Sequence, residues 1–143
     1  MQRTLNNTIP QPQRDRQQGA LHAIGAEQLE TLKELAREPI YESLRRFAPQ
    51  MDVNYGRVTI RCQKSRWGSC SSAGNLNFNC LLALAPREVL DYVVVHELAH
   101  RLHMDHSAAF WQEVEKVLPD YRVCRDWLRQ NGGALLARTG ENG

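Results

Sequence analysis

Four of the five histidines fall within eleven residues: His96, His100, His103 and His106. The centre of the cluster reads His96-Glu97-Leu98-Ala99-His100. Four residues along an α-helix advance ~6 Å and turn ~400°, so the two imidazoles stand one above the other on one face. Rings so placed can hold one Zn²⁺ at about 2.0–2.1 Å each. Glu97, one step round the helix, reaches the open coordination position instead of the metal, where it can take a proton from a bound water. The plainer alternative makes the histidines hydrogen-bonded core residues and Glu97 a surface charge. An otherwise apolar helix, followed at once by further donors, favours the metal.

Several residues compete to be the third ligand. On a continuing helix His103 would lie about 20° off His96, and three near-collinear donors poorly supply the corners of a tetrahedron. Met104-Asp105 reads as a turn, after which His106 heads a new helix and points back. Asp105 could bind or could cap that helix, and Glu113 would complete a His-His-Glu set. Spacing favours His106 modestly and leaves His103 to the surface or to a supporting position.

Three protein ligands with one open position give hydrolytic chemistry. Water bound there has its pKa lowered from 15.7 to about 7, and the metal polarises a carbonyl. Glu97 would act as general base and pass the proton to the leaving amine. Arg66, Asn79 and Tyr121 are candidates for stabilising the oxyanion.

The elements that must position these groups are legible in outline. Leu29, Leu32, Ala36, Ile40, Leu44 and Phe47 recur at helical spacing, with Pro39 expected to kink the helix or open a second one. Val58, Ile60 and Cys62 alternate with polar residues as in a half-buried strand. Arg66 to Cys70 and, after a turn at 71–74, Leu76, Phe78 and Cys80 predict two more strands in an antiparallel sheet. Asn75, Asn77 and Asn79 mark the opposite face of the third strand: a solvent face, or an edge able to pair with an extended peptide. Pro86 and Glu88 open a helix whose stripe is Leu90, Val94, Leu98 and Leu102, widened by Val89 and Val93. Ser107 caps the next, with Phe110, Val114 and Val117 inward and Pro119 ending it. A short last helix carries Cys124, Trp127 and Leu128, with Gly132 as its C-terminal cap. Helix, small sheet, then helices make the class α+β.

At 143 residues the chain has room for one domain with tails. Residues 1–19, rich in glutamine, read as a flexible tail, 20–131 as the folded domain and 132–143 as a second flexible tail. Net charge is only +2 and there is no basic run, so nucleic acid is not supported as a partner. No apolar run approaches a membrane span and no secretory segment is visible, so the expected location is the cytoplasm. Cys62, Cys70, Cys80 and Cys124 lack the spacing of a zinc knuckle and are expected as free thiols.

Several motifs together resemble the YgjP-like metallopeptidase domain: 63–71 (Gln-Lys-Ser-Arg-Trp-Gly-Ser-Cys-Ser), 74–79 (Gly-Asn-Leu-Asn-Phe-Asn) and 91–100 around His96-Glu97. His106-Ser107 with Phe110-Trp111, and Pro119-Asp120-Tyr121 with Trp127-Leu128, continue the match. It covers about 36–132. The family is related to the SprT-like and minigluzincin zinc peptidases. The resemblance implies a zincin-like fold, one zinc on His96, His100 and His106, and peptide or protein substrates. Two departures stand out: relatives often carry a β-rich portion where this chain has its glutamine-rich segment, and Asp105 replaces a usual asparagine. Trp67 and Cys70 are expected to pack beneath the active helix. The alternatives are a DNA-associated processing protease of the SprT-like kind, a zinc hydrolase of a phosphoanhydride, and a structural metal without catalysis, against which Glu97 argues.

Overall fold

Leu32, Ala36, Ile40, Leu44, Phe47 and Met51 bury one face of a 26-residue helix, α1 (Ala26–Met51), in the computed structural model, which describes residues 24–138. Pro39 opens no second helix, and one helix runs through it. The proline forfeits one backbone hydrogen bond and crowds the carbonyl of Leu35, but Leu35 is 59% exposed, on the side open to water. Ala36 and Ile40, both fully buried, keep the helix continuous through that point. It ends at Asp52, whose φ of 57° is a left-handed conformation that aspartate tolerates.

Three short strands follow: β1 (Val58–Arg61), β2 (Gly68–Cys70) and β3 (Leu76–Asn79), in the spatial order β1-β3-β2. β2 and β3 form a hairpin, Gly68 opposite Phe78 and Cys70 opposite Leu76, around a turn in which Gly74 adopts φ 93°. β1 and β3 are parallel, Val58 beside Leu76 and Arg61 beside Asn79. The sheet is therefore mixed, which corrects the expectation of antiparallel pairing. Residues 62–67 carry the chain from β1 past the end of the sheet to its far edge, and the returning hairpin inserts β3 between.

Asn79 secures that crossing. Its side-chain amide donates to the carbonyls of Gln63 and Arg66, both at 2.8 Å, and its oxygen accepts from the Leu81 amide at 2.9 Å. It is 1% exposed, so it belongs to no solvent face. As β3 is the central strand, its backbone is already paired on both sides. The idea that it offers a free edge to a peptide is thereby overturned.

The longest apolar run becomes a 3₁₀ helix, Cys80–Leu84, that drops beneath α1. Then comes α2 (Arg87–Ala99), capped at Pro86, with Leu90, Val94 and Leu98 inside the largest core cluster and Val93 beside them. The helix ends before Leu102, which is 41% exposed and so leaves the predicted stripe. Packed against α1 on one side and α4 and β2 on others, α2 is the centre of the domain. α3 (Ala108–Val117) and α4 (Tyr121–Ala137) complete it.

Gly132 does not cap the last helix. α4 runs through Gly132 and Gly133, and Leu135 is buried. A Cβ at 132 would stand 3.0 Å from Trp67 Nε1, so this glycine serves close approach. The Ile24 amide donates to the Arg138 carbonyl at 2.7 Å. Residues 132–138 are thus part of the fold and not of a tail, whereas the expected tail over 1–19 and residues 139–143 lie outside the described residues. Among the described residues no helix is long and apolar enough to cross a membrane.

Candidate metal centre

α2 stops where the chemistry begins. His100 is its C-cap, and the amides of Arg101, Leu102 and His103 fold back onto the carbonyls of Leu98 and Ala99. The chain then turns, and Ser107 caps α3 by accepting from the Phe110 amide at 3.4 Å. This reversal brings His106 back over α2. One ligand nitrogen each from His96, His100 and His106 lies within 4.8 Å of the others. The three ring centroids form a nearly equilateral triangle with sides of 5.1, 5.1 and 4.9 Å.

Phe110 is the floor of that triangle. It is fully buried, and its ring lies 5.0, 4.6 and 5.0 Å from His96, His100 and His106. His100 is further fixed by its Nδ1, 3.0 Å from the His103 carbonyl. A carbonyl only accepts, so Nδ1 carries the hydrogen and Nε2 keeps the lone pair that a metal needs. The contribution of His103 is this backbone oxygen; its ring is outside the cluster. Asp105 is exposed, and Glu113 turns to Lys116 at 3.3 Å, so neither joins the three imidazoles.

Burial, and then the neighbouring His96 and His100 rings, hold the His106 imidazole below its ordinary pKa. A metal ligand must be a neutral ring, and this environment favours that form. Glu97 is 5% exposed, with Oε2 3.3 Å from His96 Nδ1. It lies against β2, where a Cβ at Gly68 would come within 3.1 Å of Glu97 Cγ and 3.2 Å of its Oε2. The missing side chain at 68 is what gives the carboxylate its place. Burial, and next the Glu97 charge, push the Cys70 thiol up.

A cleft of about 200 Å³ opens beside His96 and Glu97, lined also by Trp67, Gly68, Tyr92, Val93 and Leu128. Burial foremost pushes the Tyr92 phenol up to about 12. On the other side of His96 stands Trp111, 5.7 Å away, stacked on Tyr121 at 5.1 Å, which stacks in turn on Tyr92 at 6.4 Å. The Arg125 guanidinium covers Trp111 and Tyr121 at 5.3 and 5.4 Å. Of the three oxyanion candidates, Asn79 spends its polar atoms on the crossing segment and Tyr121 is buried in this stack. Arg66 is exposed and does not line the cleft. Trp67 is both cleft wall and a member of the packing around α2, and Cys70 packs on the same core. Gly68, Tyr92 and the floor position of Phe110 were not legible as site features; the signals were their places in the family-like motifs and the inward position of Phe110 four residues after His106.

The donor chemistry suits zinc. Three imidazole nitrogen donors converge, and among the described residues no other group of three or more His, Cys, Asp and Glu could hold an ion. Three converging imidazoles with a buried carboxylate beside them match a hydrolytic site more closely than a closed structural one.

An α+β domain whose central helix carries two histidines and a glutamate, joined by a third histidine from the following turn, has the build of a metal-dependent hydrolase. The family model for the YgjP-like metallopeptidase domain matches residues 3–131, and the chain belongs to that family. The match takes in most of the glutamine-rich segment. The chain is similar to the crystal structure of the metallopeptidase zymogen of Pyrococcus abyssi abylysin, with 26% identity and a TM-score of 0.59 over 64% of this chain and 93% of that one. The metallopeptidase zymogen of Methanocaldococcus jannaschii jannalysin shares the fold, at 19% identity and a TM-score of 0.57 over 64% of this chain and 95% of that one. No curated protein matches at a significant level.

Proposed function

We propose that the chain is a zinc-dependent endopeptidase acting in the cytoplasm, with His96, His100 and His106 as ligands and Glu97 as general base. The observation that carries this reading is the convergence of three imidazoles within 4.8 Å beside a carboxylate that is almost wholly buried. Zinc, when bound, would supply a Lewis acid and would lower the pKa of a bound water to about 7. Glu97 accepts the proton from the attacking water and returns it to the leaving amine. His100 keeps its orientation through the His103 carbonyl, and Phe110 keeps all three rings in register. The apolar wall of Trp67, Tyr92, Val93 and Leu128 faces the substrate. Family membership supports peptides as the substrate class, as does the similar abylysin structure, described as a metallopeptidase zymogen.

The test is incubation of the full chain with a peptide library and, separately, a nucleotide panel, with and without chelator. The expected result is cleavage of internal peptide bonds, abolished by chelation and restored by zinc. Glu97→Gln should keep its metal and lose about 10²–10⁴-fold in turnover. His106→Ala should lose the metal, and Glu113→Ala should keep it. Nucleotide hydrolysis without peptide cleavage would replace this reading with the phosphoanhydride one.

A further inference from the structure

Away from the histidines, two thiols face each other where the crossing segment begins. Cys62 Sγ and Cys80 Sγ are 2.8 Å apart, less than 1 Å longer than the ~2.05 Å of a disulfide bond. They come from opposite ends of the hairpin region: Cys62 follows β1, and Cys80 follows β3 next to Asn79. Cys80 is fully buried and Cys62 half-buried, with its thiol directed at the Leu29 carbonyl of α1 at 3.9 Å. Lys33, one turn further along α1, is close enough that its charge and those of both sulfurs act on one another. We propose that Cys62 and Cys80 are a site of oxidative modification, joining in a disulfide that staples the crossing segment to the 3₁₀ helix.

The order of events follows from exposure. The Cys62 thiolate attacks a low-molecular-weight disulfide such as oxidised glutathione, forming a mixed disulfide and releasing one glutathione thiol. Cys80, held against it, attacks the Cys62 sulfur and displaces the second. The two protein thiols supply the two electrons that reduce the incoming disulfide, and their two protons leave on the two glutathione molecules. Burial pushes the Cys80 thiol up, so it is the resolving and not the initiating group, and the Lys33 ammonium favours its thiolate. The bond closes a loop containing β2, β3, Trp67 and Gly68. Trp67 and Gly68 form one wall of the cleft, so oxidation stiffens the segment that faces Glu97. Closing such a loop restricts the unfolded chain and stabilises the fold.

The test uses the full chain treated with oxidised glutathione. Thiols titrated after denaturation should fall from four to two. A tryptic map should link the peptide 62–64 to the peptide 67–87, with fragment spectra assigning Cys80 and not Cys70. The melting temperature should rise by several degrees and return with dithiothreitol. Cys62→Ser should retain all its remaining thiols and show no such rise, and Cys80→Ala should trap glutathione on Cys62. The inference is overturned if all four thiols persist, if wild-type Cys62 keeps its glutathione, if Cys62 pairs with Cys70 or Cys124, or if the bond forms without a change in melting.

Discussion

A single methyl group at position 68 tests whether Glu97 works from the place it occupies. In Gly68→Ala the new Cβ would stand 3.1 Å from Glu97 Cγ, 3.2 Å from Glu97 Oε2 and 3.2 Å from the Asn77 carbonyl. Contacts this tight require something to give by a few tenths of an ångström. The Asn77 backbone is fixed between Ser69 on β2 and Thr59 on β1, so the side chain of Glu97 is what moves. At 5% exposure it cannot swing into water and must shift along the cleft. A misplacement of about 1 Å at a reacting group costs roughly 10²-fold, so a few tenths predict about a 3- to 10-fold loss of kcat/KM, ~1 kcal/mol. Gly68→Val adds two further methyls and should cost at least 10²-fold. Initial rates on a quenched fluorogenic peptide, measured beside zinc content, separate this from metal loss. The three atoms nearest that Cβ belong to Glu97 and Asn77 and none to an imidazole, so zinc should stay near one per chain. Unchanged kcat/KM in both variants at full zinc occupancy would refute the reasoning.

Three further outcomes follow from the same geometry. Phe110→Ala removes the floor beneath all three imidazoles and should cost about 3–5 kcal/mol in urea unfolding, with weaker zinc retention; a cost under ~1 kcal/mol would contradict that role. Asn79→Ala strands the carbonyls of Gln63 and Arg66 and the Leu81 amide, costing about 2–4 kcal/mol, and amide exchange should quicken in 62–67 before elsewhere. Because His106 in the metal-free fold has a lowered pKa, its neutral form is the one folding favours. Its contribution is present above its unfolded value of about 6.5 and is lost as pH falls through the lower folded value, so urea midpoints of the apo protein should decline from pH 7 to pH 5, less so in His106→Ala.

The parts of this molecule governed by local rules were legible in the sequence. His96 and Glu97 lie on α2 and His100 caps it, as the apolar stripe and the four-residue spacing predict, and the Ser107 cap follows from side-chain chemistry beside an apolar run. The parts governed by tertiary contact were not. Pro39 reads as a break, yet buried neighbours on both sides override its local cost. Gly132 reads as a cap because nothing in the local pattern announces Trp67, sixty-five residues earlier, lying against it. Asn79 reads as one of three polar residues on a strand face. Its real task, holding a crossing segment, exists only once β3 is inserted between β1 and β2. The third histidine lay between these extremes. Spacing narrowed it to a few donors, and the reversal after His100 decides which of them returns to the cluster.

X-ray absorption at the zinc K-edge, on the full chain in solution, reports the first coordination sphere of the bound zinc. The expected spectrum has three imidazole nitrogens at about 2.0 Å, one further light oxygen scatterer and no sulfur, and the zinc signal itself should be lost in His106→Ala. A sulfur shell, or a fourth protein ligand that persists in saturating substrate analogue, would contradict a hydrolytic centre built on His96, His100 and His106.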